Sequence, residues 1–498
     1  MTQPEKKSFF EGSFFQRLSE IFLPLTSWLV ITLPIWLSPF HPAVVGYFII
    51  GFILYFFYKS AKTTYNAVIS YKKIEIYKKI NFAKKIKFFI KKNKKNPIEH
   101  FVIIPNYKEP IYKLKSTIEA MIKNDYPEKI NLVLAFEKRE KEAKEKEKTI
   151  IRDYQNYFKN IFATYHPLLP GEIEGKASNQ TYAAKFVENI LNQKKIDYKN
   201  VLITICDADS ILPKNYFSYL TYQYLKDKNR LFHFYWAPVL LYNNFWQLPI
   251  FVRIQATLSS ILRLAFLSEK ENLIQISTYS TSFWLLKQVN FWDTDIIPED
   301  WHIYLQAFFK FGQKVKTLPL YTIVNGDAVY SGSLIKTLIN RYQQEKRWAW
   351  GASDVTYAIK NLFSTPKIPF FIKLKKILFL FETHFFWSTS FFILTISASI
   401  PPLINPVFKR TVMGFLLPKI SAFILTLSSF MLLFYIILDI SIRKKLKQKI
   451  DIKALPLLII QWYLLPIISF LFSSTPALEA QTRLMLRKPI KYTVTEKV

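Results

Sequence analysis

Residues 200–209 read NVLITICDAD. From Val201 to Cys206 the run is apolar or β-branched without a break, and two acids follow with one residue between them. A short unbroken run of this kind, closed by a polar turn, reads as a buried strand of a parallel sheet flanked by helices. The turn then falls at the carboxyl edge, where open α/β sheets bind their ligands. Asp207 and Asp209 can present two carboxylates from that turn. Such a pair can hold Mg2+ or Mn2+ against a diphosphate, because these hard ions take oxygen ligands and substrate phosphates. A D-x-D triplet is short enough to arise by chance in 498 residues, so its meaning depends on its surroundings.

Working outward, His100–Pro105, Ile130–Phe136 and Leu231–Trp236 also read as strands bounded by turns. Ile111–Asn124 and Asn179–Asn192 read as helices between them. Alternation of this kind predicts a βαβ sheet. Glu137–Lys148 is a run of mixed charge that reads as a solvated helix or loop without chemistry.

The flanks have a different character. Ile21–Phe40, Val44–Tyr58, Ile377–Ser399, Phe415–Ile440 and Leu455–Phe472 are apolar stretches, and a bilayer core of ~30 Å needs about 20 such residues as helix. The first two form a hairpin with basic residues on both outer sides: Lys6, Lys7 and Arg17 before, Lys59, Lys62, Lys72 and Lys73 after. Lysine and arginine mark the cytoplasmic side. The same rule places the 443–449 loop, with Arg443, Lys444, Lys445, Lys447 and Lys449, inside. Arg483, Arg487, Lys488, Lys491 and Lys497 favour an inside C-terminus, whereas five full spans put it outside. Pro456, Pro466 and Pro476 could instead break the last stretch into a re-entrant hairpin. The expected organisation is a transmembrane hairpin (1–58), a basic juxtamembrane segment (59–96), a cytoplasmic domain (97–365), C-terminal transmembrane helices (366–476) and a basic tail (477–498).

The net charge of +32 calls for an anionic partner. Its concentration beside the spans points to membrane lipid headgroups rather than nucleic acid, for which no recognition motif is present. One cysteine, Cys206, excludes a disulfide framework and a Cys-rich metal site. No G-x-G-x-x-G or Walker A pattern is present, which argues against the common dinucleotide and P-loop sites.

Four further motifs accompany D-A-D. Residues 101–110 read FVIIPNYKEP, 175–180 GKASNQ, 298–302 PEDWH and 344–348 QEKRW, the last followed by Ala349-Trp350-Gly351. In order and spacing, over Phe101 to Ser353, they resemble the membrane-bound branch of the family 2 glycosyltransferases, which includes cellulose-, chitin- and hyaluronan-synthase-like enzymes. The resemblance implies an α/β GT-A type fold with a Rossmann-like mixed sheet, inserted between transmembrane helices. It implies a nucleotide-diphosphate sugar, a UDP-sugar foremost, as donor. By position, Glu109 would lie near the uridine or ribose, and Lys176 and Asp207 would reach the nucleotide. Asp209 would meet the metal, and Asp300 would be the general base. Gln344, Arg347 and Trp348 would bind the diphosphate and flank the acceptor sugar. Glu137 stands where many relatives carry an Asp pair, a departure at the base-recognition position.

The chemistry suits those roles. Displacing a nucleotide diphosphate needs a base on the acceptor hydroxyl and charge neutralisation on the leaving side. One carboxylate with inversion suffices, whereas retaining hydrolysis needs two placed close together. Read as a strand, Glu299 and Asp300 would face opposite ways. Blander readings stand beside these. Asp300 also reads as a helix N-terminal acid, Arg347 and Trp348 as an interfacial anchor, Cys206 as a core residue and His302 as a structural hydrogen-bonder. Phe245, Trp246 and Arg253 could mark an interfacial or acceptor surface. Three activities follow: synthesis of a growing β-linked polysaccharide at the plasma membrane, transfer to a lipid acceptor, or an inactive scaffold or transporter subunit.

Overall fold

The computed structural model describes residues 13–93, 97–445 and 455–492. The basic residues Lys6, Lys7, Lys447, Lys449 and Lys497 lie outside them. The chain divides into two compact units. One holds Ile69–Leu248 and Phe266–Ser333 with Tyr492; the other holds the segment up to Val68, Pro249–Ala265 and Leu334–Lys491.

Among its described residues the first unit is built on nine strands: β1 (Glu99–Asn106), β2 (Asn131–Glu137), β3 (Asn160–His166), β4 (Val201–Ile205), β5 (His233–Trp236), β6 (Val239–Leu240), β7 (Tyr279–Ser282), β8 (Lys316–Pro319) and β9 (Val324–Asn325). Seven form one sheet in the order β3-β2-β1-β4-β7-β5-β8, and β6 pairs with β9. β1 is parallel to both β2 and β4, with Val102 opposite Leu132 on one side and Thr204 on the other. β7 alone in the large sheet runs antiparallel to its neighbours, β4 and β5. The helices include α1 (Ile111–Ile122), α2 (Ala143–Tyr154), α3 (Lys176–Gln193), α4 (Tyr216–Lys226) and α5 (Glu299–Phe311). Chain order reverses between β1 and β4, and a crevice opens at the carboxyl ends of strands at such a point.

Of the central strands β2 and β4 are fully buried, and β1 is buried except at half-buried Glu99 and Pro105. Val102, Ile104, Leu132, Leu134 and Phe136 share a core with Leu114 and Ile118 of α1 and Tyr216, Phe217 and Leu220 of α4. Each such side chain contributes about 1.5–3 kcal/mol on leaving water. Two strands escape a hydrophobic reading. β3 is a sheet edge whose residues, NIFATYH, are mostly half-buried. β7 reads YSTS, and its hydroxyls find partners inside the sheet: Ser280 with Thr204 at 2.7 Å, and Thr281 with the carbonyl of His233 at 3.0 Å. The 137–148 run is also less solvated than its charge suggests. Lys146 and Glu140 are buried and paired at 2.5 Å.

Among the described residues, five helices are long and apolar enough to cross a membrane: Phe14–Trp36, Pro42–Lys78, Phe370–Thr395, Val412–Lys445 and Leu458–Met485. The last is interrupted. A 3-10 turn, Gln461–Leu464, and a π-helical stretch, Phe470–Ser474, break its ladder, and Phe472 leaves helical geometry at φ −121°, ψ 15°. Pro456 stands just before this helix, and Pro466 and Pro476 fall along it; each proline removes an N–H from the ladder.

Candidate active site

Lys176 opens α3, and its side chain gathers carboxylates from two other elements. Its Nζ lies 2.9 Å from Asp207 on the turn after β4, 2.9 Å from Glu299 and 3.6 Å from Asp300. Glu299 and Asp300 form the first turn of α5, not a strand. The expectation that they point apart is therefore corrected: on a helical turn both carboxylates reach one ammonium group. Burial pushes the Lys176 pKa down, but Asp207, Asp300 and Glu299 outweigh it and carry the group well above its ordinary value. Burial raises Asp300 well above the usual carboxylate range, and the charge of Glu299 adds to this.

Ser277, just before β7, was not legible as a site residue. Its main-chain N–H donates to Oδ2 of Asp300 at 2.6 Å, and its carbonyl accepts from Lys176 Nζ at 3.3 Å. It does so at φ 65°, left-handed backbone unusual for serine. Gln275 supports the same turn of α5, its Nε2 donating to the carbonyl of Asp300 at 2.9 Å.

Asp209 lies deeper on the turn after β4. Its Oδ2 accepts from the N–H of Asp327 at 3.1 Å, and Asp327 is itself paired with buried Lys113 at 2.7 Å. Asp207 and Asp209 offer oxygen donors, the set that Mg2+ and Mn2+ prefer. Among the described residues no group of three or more His, Cys, Asp or Glu side chains forms a ready cation cage. These residues fit an ion whose remaining ligands come from substrate phosphates and water. The neighbouring Cys206 thiol is pushed well up by burial, away from the thiolate a soft metal needs.

Glu109 follows β1. Its N–H donates to Asn106 Oδ1 at 3.3 Å, and its carbonyl accepts from Lys146 Nζ at 2.8 Å. Glu137 is the last residue of β2 and faces His166, the last of β3, in register. His166 Nδ1 lies 3.3 Å from Glu137, and Nε2 lies 2.9 Å from Glu172. Burial lowers the His166 pKa, but the two carboxylates outweigh it and the net shift is upward. Arg139 pairs with Glu174 at 2.5 Å and lies over the Tyr107 ring at 4.3 Å. Gly175, beside Lys176, packs against Tyr492: a Cβ there would stand 3.3 Å from the Tyr492 ring.

Gln344, Arg347 and Trp348 sit on the Leu334–Ala349 helix of the second unit. This helix is inside out. Thr337, Arg341, Gln344 and Glu345 are buried, while Leu334, Ile335 and Ile339 are exposed. Arg341 hydrogen-bonds Gln344 and Glu345, and its guanidinium lies 5.0 Å from the centre of the Trp348 ring. His302, expected to be structural, hydrogen-bonds Asp293 at 3.0 Å.

Residues 202–438 match the profile described as "Glycosyl transferase family group 2". No curated protein matches the chain. Among solved structures, the chain is similar to a mannosyltransferase from Pyrobaculum calidifontis in complex with GDP-Man and Mn2+, at 14% identity over 78% of this chain and 99% of that one, TM-score 0.38. It is also similar to S. aureus TarS, at 10% identity over 66% of this chain and 54% of that one, TM-score 0.31. Over the matched residues, just under half of the chain, the sequence is similar to the group 2 glycosyl transferases, and this match supports a glycosyltransferase. The chain carries a GT-A-like mixed sheet and several apolar helices flanking the domain.

Proposed function

We propose that this chain is a membrane-bound, inverting glycosyltransferase that moves a sugar from a nucleotide diphosphate, a UDP-sugar foremost, onto a growing β-linked polysaccharide. The branch is that of the cellulose-, chitin- and hyaluronan-synthase-like enzymes. The α/β domain lies on the cytoplasmic side of the plasma membrane. The observation that carries the reading is the meeting of Asp207, Glu299 and Asp300 at the Lys176 ammonium.

Asp300 takes the proton of the acceptor hydroxyl as that oxygen attacks the anomeric carbon. Its raised proton affinity suits a base, and a positioned carboxylate contributes ~10²–10⁴ in rate. The Ser277 N–H holds one carboxylate oxygen in place. Lys176 and Asp207 bind the nucleotide, with Glu109 and Glu137 at its ribose and base end. Asp209 would hold Mg2+ or Mn2+, which when bound would neutralise charge on the diphosphate. Gln344 and Arg347 grip the diphosphate, as a guanidinium fork matches phosphate oxygens. Trp348 offers its flat face to the acceptor sugar.

A lipid acceptor is the second reading, favoured by one observation. The helix that carries Gln344 turns Leu334, Ile335 and Ile339 outward, a face suited to lipid. Membranes containing the protein, given a panel of labelled nucleotide sugars, separate the two. Ethanol-insoluble label supports polymer, and chloroform–methanol-soluble label supports lipid. Absence of label in both fractions with every donor would contradict the proposal.

A further inference from the structure

Gln255 lies on the Ile250–Phe266 helix and is buried. Both ends of its side-chain amide are engaged. Nε2 donates to Glu345 Oε1 at 2.8 Å and to the carbonyl of Phe472 at 2.6 Å. Oε1 accepts from Arg341 Nε. Phe472 is the residue at which the last apolar helix leaves helical geometry. A π-helical break disturbs the regular ladder, and a carbonyl left without a ladder partner in an apolar setting is costly unless a donor reaches it. Gln255 is that donor.

The other end of this network is Trp348. Arg341 is 1% exposed and lies over its ring at 5.0 Å, and Arg263, also buried, lies over it at 5.5 Å. Arg341 has its guanidinium directions set by Gln255, Gln344 and Glu345. A planar fork held at several points cannot turn without breaking hydrogen bonds in a buried place. The break at Phe472, Gln255, Arg341 and Trp348 thus form one continuous chain of contacts.

We infer that Arg341 and Gln255 are positioning residues for the Trp348 ring, fixing it against the helix break at Phe472 so that the acceptor sugar is presented in one orientation. The inference rests on the reading of Trp348 as the acceptor platform. Neither residue touches substrate. A loosened platform misplaces the acceptor and leaves donor binding as it was.

The test uses the full chain in lipid nanodiscs, with steady-state kinetics in both substrates. Arg341→Lys keeps the charge and loses the fork; Gln255→Met keeps the volume and loses the amide. Arg341→Lys is expected to raise the acceptor KM roughly tenfold to hundredfold and, because Arg341 bonds Gln344, the donor KM as well; Gln255→Met is expected to raise the acceptor KM by a similar factor with the donor KM unchanged, the scale on which misplacement costs rate. Trp348→Ala should do the same as Gln255→Met, and Arg341→Lys added to Trp348→Ala should cost nothing further in acceptor KM. Full additivity of the pair, or a wild-type acceptor KM in both positioning variants beside a defective Trp348→Ala, overturns the inference alone. A wild-type acceptor KM in Trp348→Ala overturns the acceptor reading itself. If Arg341→Lys does not fold, Gln255→Met decides by the same measurement, with faster amide exchange around Ser474 expected and unchanged exchange counting against.

Discussion

Ser277 donates its main-chain N–H to Oδ2 of Asp300 across 2.6 Å, from a backbone held at φ 65°. A non-glycine residue in that region costs about 1–2 kcal/mol. The contact uses the backbone, so glycine should keep it. Ser277→Gly is expected to melt higher than the parent and to retain transfer activity within roughly threefold. Thermal unfolding and initial rates check this; a lower melting temperature would show that the side chain carries stability.

Lys176 is the cation among three carboxylates. Removing one partner from a buried charged group is costly, about 3–5 kcal/mol. Lys176→Met should lose stability on that scale in denaturant unfolding and lose nucleotide binding. Lys176→Arg should recover most of the stability, since it restores the charge, but not the binding geometry.

The His166 pKa lies above its ordinary 6.5 because Glu137 and Glu172 hold the protonated ring against the penalty of burial. A raised native pKa stabilises the fold fully below pH 6.5 and loses that contribution as pH climbs through the native value. His166→Gln should therefore melt well below the parent in acid, with the gap closing at alkaline pH. Melting temperatures from about pH 5.5 to 8.5 check it; a gap that widens with pH would reverse the sign.

At Gly175 an added Cβ would approach the Tyr492 ring to 3.3 Å, tighter than an ordinary contact. Gly175→Ala should push the Tyr492 ring by a few tenths of an ångström and loosen its seat, read as faster proteolytic cleavage next to Tyr492. In a chain that already carries Tyr492→Ala, adding Gly175→Ala should leave the cleavage rate unchanged. Equal cleavage rates in Gly175→Ala and the parent would count against a seated Tyr492 ring.

The parallel half of the sheet was readable because β1, β2 and β4 are continuous apolar runs, and their carboxyl ends carry Glu109, Glu137 and Asp207. β7 was not, because its burial is satisfied by hydroxyl pairs such as Ser280 with Thr204 rather than by apolar side chains. Glu299 and Asp300 were recognised as residues with two geometries open, a strand and a helix N-terminus, and the structure has the second. Two adjacent acids diverge on a strand and converge on a helical turn, and only the fold decides which. Ser277 acts through its backbone, which leaves no mark on residue type. Arg341 sits on a helix whose polar face is buried, the reverse of the pattern that hydrophobic periodicity detects, and Gln255 is a polar residue on a face that also buries Val252, Ile254, Ile261 and Leu264.

Transfer of label from a nucleotide sugar by the full chain in membranes, compared between the parent, Asp300→Asn and Asp209→Asn, tests the central claim most directly. Both variants should reach the membrane as the parent does. Asp300→Asn should lose transfer by ~10²–10⁴ while still binding nucleotide. Asp209→Asn should lose transfer together with Mn2+-dependent nucleotide binding. Parent-like transfer by Asp300→Asn would contradict the account.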